Sequence, residues 1–144
     1  DDEMRARIAR HQADRALRVA RLSTLEVPRD LAPALRAGTA AHRLVLVDCL
    51  TLWLTNLLMP IDGAALDDAA LTVMREDLCT ALAAATGPVV LVSNEIGLGI
   101  TPLTSEARRF VDELGRLHQA VAAVCANVTL MVAGIELPMK RGGA

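Results

Sequence analysis

Aromatic side chains are almost absent from this sequence. Its 144 residues include one Trp and one Phe, Trp53 and Phe110, and no Tyr. Proteins that bind single-stranded nucleic acid stack the bases on aromatic side chains, so the composition excludes a binding site of that kind. The core must be built instead from Leu, Val, Ile and Ala.

An excess of one charge and a long hydrophobic run are missing as well. Fifteen Lys and Arg residues against seventeen Asp and Glu residues give a net charge of −2, too balanced for a protein that mainly binds nucleic acid or an anionic membrane. The longest apolar stretch, residues 49–60, is shorter than the roughly 20 residues that span a bilayer. Since 53% of the residues are apolar, we expect a soluble, folded single domain over residues 1–144.

Cysteine is also scarce. Cys49, Cys79 and Cys125 are odd in number and lie in apolar patterns, so we expect reduced thiols in a cytoplasmic protein. No cluster of His, Cys and Asp has the spacing of a zinc site. The sequence begins with acidic residues and has neither an initial Met nor a signal peptide, so we expect the gene product to start upstream of Asp1.

Hydrophobic periodicity predicts alternating helices and strands. Continuous apolar runs predict strands that are buried on both faces at residues 44–47, 89–92 and 128–133. The remaining patterns predict helices near residues 2–15, 28–38, 51–59, 67–86 and 105–125. Gly115 lies inside the last helix, where it costs about 1 kcal/mol relative to Ala, so we expect a packing reason for it. We expect residues 140–144 to be frayed.

This order of elements predicts an α/β fold, an open and mostly parallel sheet with helices on both faces and the three apolar strands side by side in its middle. Ligands of such sheets bind at the carboxyl ends of the strands, which selects residues 48–51 and 93–95. Asp48 ends its strand like the carboxylate of a Walker B strand, which helps to hold Mg²⁺; a cap for the following turn is the alternative. The phosphate-binding motif G-x-x-x-x-G-K-[ST] is absent from the sequence.

Among the histidines, His11 has the most suggestive neighbours. The first predicted helix places it on an apolar face, one turn before Arg15. Nearby cations favour the neutral imidazole, which is the form that attacks phosphorus, and an arginine can clamp phosphate oxygens. A solvated helix histidine is the alternative. We assign no role to His42, in a loop, or to His118, within a helix.

Several segments carry a resemblance to a known family. These segments are residues 1–11, 24–28, 47–56, 92–100 and 115–116. In register along the chain they resemble the bifunctional adenosylcobinamide kinase / adenosylcobinamide-phosphate guanylyltransferase of cobalamin biosynthesis. The resemblance implies a P-loop NTPase-like fold, a homotrimer, Mg²⁺, GTP or ATP as substrate, and adenosylcobinamide or its phosphate as the corrinoid partner.

The resemblance also implies roles for individual residues. His11 is implied to attack the α-phosphorus of GTP, release pyrophosphate and hold GMP as a phosphoramidate, which then passes to adenosylcobinamide phosphate. Asp48 is implied as a possible Mg²⁺ ligand. The implied nucleotide contacts are Gln12, Ala13, Asp14, Arg15, Glu26 and Asp48.

The sequence departs from this family at its beginning. Members have a strand, a Gly-rich phosphate loop and a helix ahead of the segment that matches Asp1, a βαβ unit of roughly 30 residues or more. We therefore expect this loop to be encoded upstream of Asp1. Two alternatives stay open: a degenerate, non-catalytic homologue that binds a nucleotide or corrinoid, and an unrelated α/β enzyme that uses Asn94 and Glu95.

Overall fold

The computed structural model describes residues 21–142, together with Glu3 and Arg10. In chain order the elements are α1 (Leu31–Gly38), β1 (Val45–Asp48), α2 (Leu50–Leu58), α3 (Asp68–Ala83), β2 (Val89–Val92), α4 (Ser105–Val124), β3 (Val128–Val132) and β4 (Ile135–Lys140). Within this part of the chain, no helix is both long enough and apolar enough to cross a membrane.

The two long helices begin where the sequence predicts. At α3 the carboxylate of Asp67 accepts a hydrogen bond from the N–H of Ala70 at 2.8 Å. At α4 the hydroxyl of Thr104 accepts one from the N–H of Ala107 at 3.2 Å. These caps satisfy N–H groups that have no partner inside the helix, so the starting points are set by local sequence.

Helix α1 begins later than the sequence predicts, and the helix predicted near residues 2–15 lies largely outside the described residues. Helix α1 starts at Leu31 rather than at Pro28. The backbone just ahead of α1 is hydrogen-bonded to side chains of α2 instead. The indole N–H of Trp53 donates to the carbonyl of Arg29 at 2.8 Å, and the amide of Asn56 donates to the carbonyl of Pro28 at 3.2 Å. These bonds tie the chain before α1 to the side of α2.

Strands β1 and β2 form the predicted parallel pair, with Val45 opposite Val89 and Asp48 opposite Val92. Burial alternates along both strands. Side chains on one face pack against the helical core, whereas those on the other face, such as Leu46 and Val90, are exposed. The prediction of burial on both faces is therefore wrong for the described residues, in which the helices cover one face.

The third apolar run does not join this pair. β3 pairs antiparallel with β4 in a separate two-stranded sheet, so the prediction of three parallel strands side by side is wrong. Ala133 and Gly134 connect the two strands with φ of 52° and 77°, the positive values that a tight hairpin turn requires. The expectation that residues 140–144 are frayed is wrong for Lys140, whose ammonium donates to the carbonyls of Ala122 and Ala123, and for Gly142, whose N–H donates to the side chain of Asn127. Residues 143–144 lie outside the described residues.

The core is aliphatic, as the composition predicts. Helix α3 packs against α1 and α4, and α2 packs against α4. The largest fully buried side chains all belong to leucine: Leu35, Leu50, Leu57, Leu78, Leu114 and Leu117. One charged side chain, Glu113, is buried with them and forms ion pairs with Arg75 and Arg116.

The three cysteines are free thiols, in agreement with the sequence analysis. Burial raises the pKa of the Cys79 and Cys125 thiols above the ordinary value. A raised pKa keeps a thiol protonated near neutral pH, and the protonated form is a poor nucleophile. These two side chains therefore act as packing residues.

Replacing Gly115 by Ala should stabilise the protein by about 1 kcal/mol, because Ala is the better helix former. The expected packing reason for this glycine is wrong, since an added Cβ would meet open space. Urea unfolding of the two proteins measures the difference. Gly87→Ala is the contrasting control, because its Cβ would collide with the carbonyl of Ala40 and should destabilise the fold. A loss of stability in the Gly115 variant would contradict the prediction.

Candidate active site at the carboxyl ends of the parallel strands

The two polar segments selected from the sequence lie together in the structure. Because Asp48 is opposite Val92, both strands end at the same edge of the sheet. The hydroxyl oxygens of Thr51 and Ser93 are 3.2 Å apart, and the backbone N–H of Asn94 donates to the Thr51 hydroxyl at 2.9 Å. The parallel pairing of β1 and β2 therefore brings the two selected segments together.

A histidine that the sequence analysis left without a role joins this edge. His118 projects from α4, and its Nε2 lies 2.6 Å from the hydroxyl oxygen of Ser93. On the other side of the ring, Nδ1 lies 3.5 Å from a carboxylate oxygen of Glu95. One sequence signal was available, since His118 lies one turn after the buried Leu114 and so borders the apolar stripe of the helix.

Glu95 also holds the loop that follows β2. Its Oε1 accepts a hydrogen bond from the N–H of Gly97 at 2.6 Å. A Cβ at Gly97 would lie 2.9 Å from that same oxygen, so the Glu95 carboxylate would have to shift if residue 97 carried a side chain. Glu95 thus links the glycine-containing loop to the imidazole of His118.

Asp48 is exposed at the end of β1, one residue before the N-cap of α2. Its carboxylate accepts no hydrogen bond from the described residues, so the alternative role as a turn cap is not observed. Within those residues no cluster of three or more His, Cys, Asp and Glu side chains suits a metal ion. Mg²⁺ commonly binds to one or two carboxylates together with substrate phosphates, and Asp48 fits such a site as a single protein ligand.

The other residues implied by the resemblance are not brought to this edge by the described structure. Glu26 is exposed ahead of α1 and forms no hydrogen bond or ion pair within residues 21–142. The rest lie outside the described residues: His11, Gln12, Ala13, Asp14 and Arg15.

Comparison with known proteins gives matches over nearly the whole chain. The family described as cobinamide kinase / cobinamide phosphate guanyltransferase matches residues 1–139. The bifunctional adenosylcobalamin biosynthesis protein CobP of Pseudomonas aeruginosa is 51% identical over 140 residues, covering 97% of this chain and 76% of that protein. CobU of Salmonella typhimurium is 38% identical over 148 residues, covering 97% and 80%. These matches contradict the alternative of an unrelated α/β enzyme.

Proposed function

This chain belongs to the cobinamide kinase / cobinamide phosphate guanyltransferase family, and we propose on that basis that it catalyses both reactions. In the first, GTP or ATP transfers its γ-phosphoryl group to the alcohol of adenosylcobinamide. In the second, GTP transfers GMP to the phosphate ester so formed. The observation that carries the proposal is the 51% identity to a bifunctional relative over 97% of the chain.

For the guanylyl transfer we propose His11 as the nucleophile. Its imidazole nitrogen forms a bond to the α-phosphorus of GTP while the bond to the pyrophosphate oxygen breaks, which gives a phosphoramidate. A phosphate oxygen of adenosylcobinamide phosphate then attacks the same phosphorus, and the bond to the imidazole breaks. Arg15 stabilises negative charge on the transferred group. The further nucleotide contacts in this proposal are Gln12, Ala13, Asp14 and Glu26.

For the phosphoryl transfer we propose the edge formed by β1 and β2. Asp48 would hold Mg²⁺ there together with the phosphates, and the ion would supply positive charge against the charge of the triphosphate. The start of α2 lies next to Asp48, and the partial positive charge of a helix N-terminus favours an anion. The exposure of the Asp48 carboxylate supports this assignment.

We also propose a P-loop NTPase-like single domain with an open sheet, acting in the cytoplasm as a homotrimer. The support is the face of the parallel pair that residues 21–142 leave uncovered, where Leu46, Val90 and Val92 are exposed. A row of large apolar side chains on a sheet face is typical of a surface that packs against another segment or subunit. Sedimentation analysis of the purified gene product would measure the subunit number.

Two labelled nucleotides test the proposed function. The full gene product is incubated with adenosylcobinamide and Mg²⁺, first with γ-labelled and then with α-labelled GTP. The expected results are label in cobinamide phosphate from the first and label in the protein and then in the GDP-corrinoid from the second. Binding of nucleotide or corrinoid with neither transfer would instead support the degenerate, non-catalytic homologue.

A further inference from the structure

The hydroxyls of Thr51 and Ser93 belong to a chain of hydrogen bonds, and the groups at the two ends of this chain fix the direction of each bond. At one end the N–H of Asn94 donates to the Thr51 hydroxyl. At the other end the carboxylate of Glu95, which only accepts hydrogen bonds, faces Nδ1 of His118 at 3.5 Å, so this nitrogen carries a proton. In the tautomer whose single ring proton is on Nδ1, the opposite nitrogen, Nε2, has a lone pair and accepts the hydroxyl proton of Ser93 at 2.6 Å.

The middle of the chain follows from counting protons. A hydroxyl has one proton to donate and two lone pairs that accept. Because Ser93 donates to His118, the 3.2 Å contact between the two hydroxyls requires Thr51 to donate to Ser93. Among the residues that the structure describes, each hydroxyl has then used its proton and one lone pair, and each keeps one lone pair that no described group occupies. Thr51 and Ser93 therefore present two hydrogen-bond acceptors and no hydroxyl donor.

This polarity selects the kind of ligand group that fits. Thr51 and Ser93 are only partly buried, so a ligand can reach them. Unprotonated phosphate oxygens only accept hydrogen bonds and find no hydroxyl donor here, whereas an alcohol has a proton to give. We propose that Thr51 and Ser93 bind the hydroxyl of cobinamide that becomes phosphorylated, with His118 and Glu95 as positioning residues.

This inference rests on the proposed function and names the alcohol subsite of that active site. It assigns separate tasks to the two strand ends, because Asp48 at the end of β1 serves the phosphates and Mg²⁺. The hydroxyl pair, which spans the start of α2 and the end of β2, serves the acceptor. Because only the proton of the alcohol is engaged, the lone pairs of the alcohol oxygen stay free.

A pair of corrinoids tests the subsite directly. The full gene product is titrated with cobinamide and with an analogue whose terminal hydroxyl is replaced by hydrogen, and the visible absorbance of the corrinoid is followed after dialysis. One hydrogen bond should give the wild type a preference of about five- to tenfold for cobinamide. Ser93→Ala and Thr51→Val should each reduce this preference at least twofold, while GTP affinity stays unchanged.

Matched variants distinguish the loss of this hydrogen bond from a general loss of structure. Thr55→Val alters a hydroxyl on the same helix that donates to the carbonyl of Thr51, and it should keep the full preference. His118→Gln places an amide oxygen near the former Nε2 and can still accept from Ser93, so it should keep most of the preference. His118→Leu releases the proton of Ser93 and should reduce the preference.

Three results would overturn the inference. Equal binding of the two corrinoids by the wild type would show that the hydroxyl is not recognised. Weaker GTP binding by Ser93→Ala, at an unchanged corrinoid preference, would show that the hydroxyl pair holds a phosphate instead. A wild type that binds no cobinamide would overturn the proposed function together with this subsite, whereas the first two results leave that function intact.

Discussion

The His11→Asn variant should form no detectable protein–GMP adduct. Asparagine keeps a polar side chain of similar bulk but lacks the attacking imidazole nitrogen, so folding should survive while the covalent step is lost. The measurement is incubation of the full gene product with α-labelled GTP and Mg²⁺. The wild type should acquire label that is stable to base and labile to acid, as a phosphoramidate requires.

Two further variants calibrate this result. His42 is exposed in the turn before β1, and His42→Asn should label as the wild type does. Arg15→Ala should label about 10²- to 10³-fold more slowly yet detectably, since removing one group that stabilises charge leaves residual catalysis. An Asn variant at residue 11 that still acquired acid-labile label would show that the nucleophile is another residue.

The Leu78→Ala variant should destabilise the protein by about 2 to 5 kcal/mol. Leu78 lies in α3, which packs against α1 and α4, and its exposed fraction is 0%. Truncation removes buried methyl groups and leaves a cavity that the surrounding helices fill only in part. Urea unfolding followed by far-ultraviolet circular dichroism gives the change in the free energy of unfolding.

Val73→Ala is the matched control on the same helix. Its side chain is 62% exposed, so truncation should change the free energy of unfolding by no more than about 0.5 kcal/mol. Equal effects of the two substitutions would contradict the packing of α3 described above. Because α4 carries His118 and packs on α3, the Leu78→Ala variant should also show a lower rate of phosphoryl transfer at urea concentrations near its unfolding midpoint.

The sequence predicts α2, α3, α4 and the two parallel strands to within a few residues. These elements follow from interactions between neighbours in the chain: apolar periodicity, the caps supplied by Asp67 and Thr104, and the Gly-Pro break before β2. The polar edge is also predictable, because the ends of parallel strands meet wherever two such strands pair. The family follows from motifs that are likewise local.

The sequence does not specify with which strand β3 pairs. Residues 128–133 have the apolar run of a central parallel strand, yet β3 pairs with β4 across a two-residue turn. Alanine is not among the residues preferred in such a turn, so Ala133 does not predict one, and Pro138 weakens the strand pattern of the next segment. An apolar run indicates a strand, but it does not specify with which neighbour the strand pairs.

The sequence by itself determined the described helices and the first three strands, their order, the family and the polar segments after β1 and β2, but not the strand β4. Tertiary structure alone decided where α1 starts, because the carbonyls just ahead of it accept hydrogen bonds from Trp53 and Asn56. It also decided that His118 contacts Ser93, which lies 25 residues away in the sequence. Periodicity and capping act within a few residues, so they are encoded locally. A hydrogen bond between distant side chains depends on how the helices pack on the sheet, and no short segment contains that information.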